Sequence, residues 1–349
     1  MTAGFLKKQP ALHLKTGDTS EMRFLIAGLG SIGRRHLQNL ITLGQEDIVL
    51  YRTFKSTQPT DHDHNLPFET DLLAALSHRP DAVIISNPTS LHLDVAIPAA
   101  DMGCHIFMEK PISNSMNRID ELETAVRMGG GQFFTAFQYR FHPGLRKLKQ
   151  FIKQGDIGSP ISVHSHWGEY LPGWHPWEDY RLGYSARAEL GGGVVLTLCH
   201  SLDYLRWLFG DVDSVWAFTA KLSDLELDVE DTAEIGLRFS SGVLGSVHLD
   251  YCQKPPVHNL QAVGTEGTIR WDNAEGVVHL YQASKGVWQE SPPPKGFSRN
   301  DLFMAEMRHF ISVIQGRDTP ACTLDDGIAA LKISLAALNS QKHGNEILL

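Results

Sequence analysis

Two patterns along the chain predict an α/β protein: a doubly wound parallel sheet followed by an α+β unit built on a large, open, mainly antiparallel sheet. From Arg23 to about residue 136, short apolar runs alternate with helical segments, as in strands buried on both faces beneath crossing helices. Beyond about residue 155 the strands alternate apolar and polar positions, as in a sheet with one solvated face. The length of 349 residues suits two domains, each with its own core. Residues 22–141 form the first predicted unit and 142–349 the second, while residues 1–21 lack either periodicity and are read as a flexible extension.

Phe24-Leu25-Ile26-Ala27 reads as the first strand, and Gly28-Leu29-Gly30-Ser31-Ile32-Gly33 as a turn opening a helix over 34–43. Strands are predicted at 48–51, 82–85, 105–108 and 132–134, with helices near 71–77, 90–102 and 114–128. In the second unit, Ala233, Ile235, Leu237 and Phe239 face one way, as do Val243, Val247, Leu249 and Tyr251 after a turn at Ser240-Ser241-Gly242. Strand-like runs at 160–167, 213–219, 257–263, 267–271 and 277–282 extend that sheet. Two helices close the chain, one burying Phe303, Met307, Phe310, Ile311 and Ile314, the other Ile328, Leu331, Leu335 and Leu338.

Lys and Arg total 31 against 40 Asp and Glu, a net charge of −9, which argues against a nucleic-acid partner. The four cysteines, at 104, 199, 252 and 322, show no CxxC spacing and are read as free thiols in a reducing compartment. No apolar run approaches the ~18 residues of a membrane span, and no signal-peptide core opens the chain. A cytoplasmic protein without membrane contact is expected. The pairs His62-x-His64 and His164-x-His166 have no third ligand at metal-site spacing, so no metal is expected.

The GxGxxG turn follows a predicted strand and opens a predicted helix, the context a dinucleotide pyrophosphate requires. Where an acidic residue would take the ribose hydroxyls, the chain reads Tyr51-Arg52-Thr53. A guanidinium beside a hydroxyl suits a 2′-phosphate, so NADP(H) is favoured, with NAD(H) as the alternative. Asn87-Pro88-Thr89, with His92 beyond, and Glu109-Lys110-Pro111 follow predicted strands, where ligands of doubly wound sheets bind. Lys110 there is a candidate to polarise a substrate oxygen. After Gly191-Gly192-Gly193, a helix over 194–210 gathers Thr197, His200, Asp203, Tyr204 and Trp207 on one flank. The segment with Trp174, Trp177, Tyr180 and Arg181 could stack on and hydrogen-bond a sugar, or could be a lid or interface loop anchored by its tryptophans.

Together the glycine turn running on to Arg34-Arg35-His36, Asn87-Pro88-Thr89 with His92, Glu109-Lys110-Pro111, Arg140-Phe141-His142-Pro143, and the three glycines leading to His200 and Asp203 resemble the glucose-fructose oxidoreductase, inositol dehydrogenase and rhizopine catabolism (Gfo/Idh/MocA) family. The resemblance covers nearly all of the chain from Met22. It implies a Rossmann domain, a second domain whose open sheet often forms a dimer interface, and reversible hydride transfer between a nicotinamide and a carbon of a sugar, cyclitol or related compound. Lys110 would lie beside the reacting group and His200 would be the general acid/base. The candidate cofactor residues are Gly28, Gly30, Ser31, Ile32, Gly33, Arg52, Thr53, Asn87, Pro88, Thr89, His92, Glu109, Lys110 and Gln138; the candidate substrate residues are Lys110, Trp174, Trp177, Tyr180, Arg181, Thr197 and His200. A homodimer or homotetramer is implied as well. The family commonly has an aspartate where this chain has Thr197, which cannot ionise or raise a neighbour's basicity. A glycoside hydrolase or epimerase using NAD transiently, and a non-catalytic dinucleotide sensor, are the rival readings.

Overall fold

The computed structural model describes residues 22–53 and 66–349; the predicted extension at 1–21 and the pair His62-x-His64 lie outside them. In the first part of the chain β1 (Phe24–Ala27), α1 (Ser31–Thr42), β2 (Ile48–Tyr51), β3 (Phe68–Glu69), α2 (Leu72–Ser77), β4 (Ala82–Ile85), α3 (His92–Asp101), β5 (His105–Glu109), α4 (Ile119–Gly129) and β6 (Phe133–Ala136) alternate. The strands form a parallel sheet in the order β3-β2-β1-β4-β5-β6. That is the doubly wound order whose crevice opens where the strand sequence reverses, between β1 and β4. The strands are buried from end to end, as in FLIA of β1 and AVII of β4, because helices cover both faces.

The chain continues through α5 (Pro143–Gln154), β7 (Pro160–Gly168), α6 (Val194–Thr197), α7 (His200–Phe209), β8 (Val212–Ala220), β9 (Thr232–Phe239), β10 (Leu244–Asp250), β11 (Val257–Gly264), β12 (Gly267–Asp272), β13 (Val278–Gln282), β14 (Val287–Ser291), α8 (Arg299–Ile314), α9 (Leu324–His343) and β15 (Ile347–Leu348). These strands form one open sheet, β14-β13-β12-β11-β7-β10-β9-β8-β15. It is antiparallel except at β7–β10, which run parallel. The predicted hairpin is present: Ala233, Ile235, Leu237 and Phe239 are buried against the helices, and their neighbours are exposed. Helices α8 and α9 reach back across the molecule, since Met307, Phe310 and Ala330 join the core beneath β1 and β2 while Ile328 and Leu331 join the core on the other face of that sheet.

Three expectations need correction. The helix predicted over 114–128 begins only at Ile119, because Arg118 takes a left-handed conformation (φ 65°) that ends any helix running in from Asn114. The helix predicted over 194–210 is broken after Thr197 and restarts at His200. Its apparent flank therefore divides: Thr197 and His200 face the cleft chemistry described below, Asp203 pairs with Arg140, and Tyr204 hydrogen-bonds Ser165 and Ser201. Strands β3, β14 and β15 carry no clear alternation and were not expected.

Candidate active site

The turn after β1 is shaped by its glycines. Gly28 sits at φ +94°, and a Cβ there would meet the Asn87 nitrogen at 2.5 Å; a Cβ on Gly33 would lie 2.1 Å from the Gly28 carbonyl oxygen. Around a Cβ on Gly30, by contrast, no atom of the described residues lies within 4 Å. The open face of Gly30 lies at the N-terminus of α1, whose first residues Ser31 and Ile32 have no side-chain cap. Uncapped helical N–H groups beside a surface without a Cβ fit a dinucleotide pyrophosphate.

At the end of β2, the Arg52 backbone N–H donates to Glu69 (3.1 Å), and Thr53 is exposed. Burial and the nearby Arg34 guanidinium both lower the pKa of Arg52. Two guanidiniums in electrostatic range of each other form a site suited to a phosphate.

After β4, Asn87 Nδ2 donates to Leu91 O at 3.0 Å while its buried Oδ1 has no partner among the described residues. Pro88 is partly exposed and Thr89 buried. His92 is almost fully buried, with its ring nitrogens 2.9 Å from Pro111 O and 3.0 Å from Asn87 O. Burial pushes it down to about 4, so the ring is neutral and its single N–H donates to one of these two carbonyls, while the ring packs between the Asn87 turn and the Lys110-Pro111 turn from behind.

After β5, His36 of α1 donates from Nε2 to Glu109 Oε1 at 2.7 Å. Burial works against the charge, yet the His36 hydrogen bond and the Lys110 ammonium hold the Glu109 carboxyl below its usual value. Lys110 Nζ donates to Thr197 O at 2.7 Å. Burial disfavours the ammonium, but Tyr184, Cys199 and Glu109 outweigh it, so the Lys110 pKa is raised and the group stays charged.

The three glycines bring Thr197 and His200 to that ammonium. A Cβ on Gly191 would touch Thr89 at 2.9 Å, and Gly193, at φ +105°, lies so close to Glu230 that a Cβ would meet its carboxylate at 2.4 Å. Glu230 in turn accepts the Val195 N–H at 3.0 Å. The start of α6 is thus clamped between the Thr89 turn and Glu230, just ahead of β9. Thr197 is buried, its hydroxyl beside the Tyr251 phenol.

His200 is buried between Tyr139 (ring centroids 5.2 Å), Trp167 (5.8 Å) and Phe137 (5.9 Å). Burial and the positive field of Lys110, with His258 and Arg299 beyond, drive its pKa well below 6.5. The imidazole is neutral and able to accept a proton. Gln138 Nε2 lies 3.2 Å from His200 Nε2 and selects the tautomer. An amide N–H toward Nε2 leaves the proton on Nδ1, whereas the turned amide accepts from Nε2–H and leaves Nδ1 as the lone pair.

The aromatic segment reaches this centre through one residue. Trp174 packs edge-on against Tyr251 at 5.5 Å, next to Thr197. Trp177 is 70 % exposed and lies tilted against His175. The Tyr180 hydroxyl accepts the Glu226 N–H at 3.0 Å, and Arg181 is engaged by Asp179 and Glu226. The sequence reading missed Tyr139, Trp167, Tyr184, His258 and Arg299, which surround or bias His200 and Lys110. Only the position of Tyr139, between Gln138 and Arg140, hinted at it.

Two family profiles match the chain: one described as an oxidoreductase family with NAD-binding Rossmann fold, over residues 22–137, the other as the GFO/IDH/MocA C-terminal domain, over residues 145–270. Among curated proteins, the uncharacterized oxidoreductase YrbE of Bacillus subtilis is 28% identical over 91% of this chain and 94% of its own length. Myo-inositol 2-dehydrogenase of Thermotoga maritima is 28% identical, covering 94% of this chain and 98% of its own. In structure, the WlbA dehydrogenase of Bordetella pertussis, solved with NADH and UDP-GlcNAcA, superposes with a TM-score of 0.79 at 23% identity, over 94% of this chain and 99% of that one.

Proposed function

The chain belongs to the GFO/IDH/MocA oxidoreductase family, and on that premise we propose that it moves hydride between NADP(H) and a carbon of a sugar, cyclitol or sugar derivative. One observation carries the reading: a buried ammonium, Lys110, which donates to the Thr197 carbonyl, lies within electrostatic range of a buried neutral imidazole, His200. A bound nicotinamide would supply C4 as the hydride acceptor. The turn at Gly28, Gly30 and Gly33 with Ser31 and Ile32 would hold the pyrophosphate. Arg52 and Thr53, with Arg34, would hold the 2′-phosphate. Asn87, Pro88, Thr89, Glu109 and Gln138 would border the rest of the cofactor, with His92 bracing two of these turns.

In the oxidative direction the Lys110 ammonium lowers the pKa of the substrate hydroxyl beside it, and His200 takes the proton. Thr197 offers the substrate a hydrogen bond without adding charge. Trp174, Trp177, Tyr180 and Arg181 form the outer wall, with residues 22–141 serving the cofactor and 142–349 the substrate. The same reading includes a homodimer or homotetramer formed through the outer face of the large sheet, where Trp216, Phe218 and Leu244 are 42%, 64% and 53% exposed.

Titration with NADPH and NADH, followed by an absorbance screen with the oxidised cofactor over sugars, cyclitols and sugar acids, tests the proposal. Reduction with one substrate class is expected. Thr197 favours a second reading, a dinucleotide sensor, since a missing carboxylate weakens proton removal; cofactor binding without turnover of any substrate would select it, and product formation without net cofactor reduction would select a hydrolase or epimerase.

A further inference from the structure

On the face of the large sheet away from His200, four neighbouring strands align Glu234 of β9, His248 of β10, His166 of β7 and Asn259 of β11 in register. Strand alternation sets these residues opposite Trp167 and Leu249, whose side chains enter the core. Asp250, two residues beyond His248, shares their face. The His166 and His248 rings lie 4.5 Å apart, and one ligand atom from each of His166, His248 and Asp250 falls within 4.8 Å of the others. We propose that these three side chains form a binding site for a divalent transition metal of the zinc class, separate from the catalytic groups.

The surroundings of each ligand are those a metal site needs. His248 donates from Nδ1 to Glu234 Oε1 at 2.6 Å and from Nε2 to Asp250 Oδ2 at 3.0 Å; a metal would take the place of the Nε2 proton between these two ligands, while Glu234 keeps the Nδ1–H. A carboxylate behind a ligating imidazole fixes its tautomer and orientation. Asp250 Oδ1 accepts the backbone N–H groups of Cys252 and Gln253 at 2.6 Å each, which holds Oδ2 toward His248 Nε2, the contact a bound cation would replace. His166 Nε2 is buried and has no hydrogen-bond partner among the described residues, with the Gln253 side chain beside the ring. Space for the carboxylate comes from Gly168, where a Cβ would lie 2.1 Å from Asp250 Oδ2.

Two imidazoles and one carboxylate suit zinc and its first-row neighbours, whereas magnesium and calcium prefer oxygen ligands. Three protein ligands leave one tetrahedral position for water. Because Tyr251 follows Asp250 and packs beside Trp174, a bound metal would stiffen the strand end that supports the cleft. The histidine pair considered in the sequence, His164 and His166, is not the pair assembled here: the partners of His166 lie more than eighty residues away.

The test uses the full chain, stripped with a chelator, dialysed, and titrated with ZnCl2 by calorimetry, with MgCl2 as control and Co2+ absorption as a direct report of ligand geometry. The expected result is one tight zinc site per chain, a tetrahedral Co2+ spectrum and no magnesium binding at the same concentrations. His166→Gln and His248→Gln should each weaken zinc binding about 100-fold, while His164→Gln leaves it unchanged. Absence of zinc binding and of the cobalt spectrum in the wild-type chain would overturn the proposal, as would undiminished affinity in folded His166→Gln or His248→Gln protein.

Discussion

Thr197 stands three residues before His200 and carries no charge, so nothing at that position raises the basicity of the imidazole. Burial and Lys110 instead keep His200 unprotonated far below its ordinary 6.5. In the oxidative direction kcat should therefore stay flat as pH falls from 8 to 6, because the base form persists; an acid limb at or above pH 6.5 would contradict the assignment. At the cofactor end, Arg52→Ala should weaken NADPH relative to NADH by about tenfold, the loss of one charge-assisted contact worth ~1.5 kcal/mol, read by fluorescence titration. Lys110, His200 and the glycines were legible in the sequence because each sits in a local pattern. Tyr139, Trp167 and His258 were not, since the cage around His200 joins a turn, β7 and β11, and no spacing along the chain records that meeting.

Among the elements, α7 and α9 are held together by a buried guanidinium. Arg140 makes a two-pronged contact with Asp203 (2.6 and 3.0 Å), reaches Asp326 at 3.0 Å, and Asp326 also accepts from Arg206 at 2.8 Å. Although burial opposes its charge, the Asp326 carboxyl is held down to about 2, chiefly by Arg140. Arg140→Met leaves Asp203 buried and unpaired and should destabilise the fold by about 3–5 kcal/mol, measured by denaturant unfolding. An unchanged midpoint would mean that the network contributes nothing to stability. The sequence marked Arg140 through its motif but placed Asp203 on the catalytic flank. The error came from extending one 100° periodicity across residues 198–199, where the helix is broken. Likewise, the apolar faces of α8 and α9 could be read, while their destination beneath the first sheet could not, because amphipathicity shows that a face is buried and not what it is buried against.

At the scale of the molecule, several histidines are enclosed as neutral rings. Burial pushes both His92 and His142 down to about 4 from an ordinary 6.5. As pH falls below 6.5 the unfolded chain takes up protons that these folded rings refuse, so stability falls with pH until about 4 and then levels off for these two groups. At pH 5 each withholds about 2 kcal/mol, and His200 and His258, shifted in the same direction, add to the loss. Melting temperature should accordingly drop steeply between pH 6.5 and 4; a curve flat across that window would contradict the buried neutral rings. The overall architecture was readable because a strand buried on both faces and a strand with one wet face differ in period. The parallel β7–β10 pair within the antiparallel sheet was not, since alternation is the same in either direction.

The measurement closest to the central claim compares wild-type, Lys110→Met and His200→Gln protein on the substrate class found by the screen, recording kcat beside the dissociation constant for NADPH. The account predicts that each variant loses about 10²- to 10⁴-fold in kcat while cofactor affinity changes little. Wild-type turnover in both variants would contradict it.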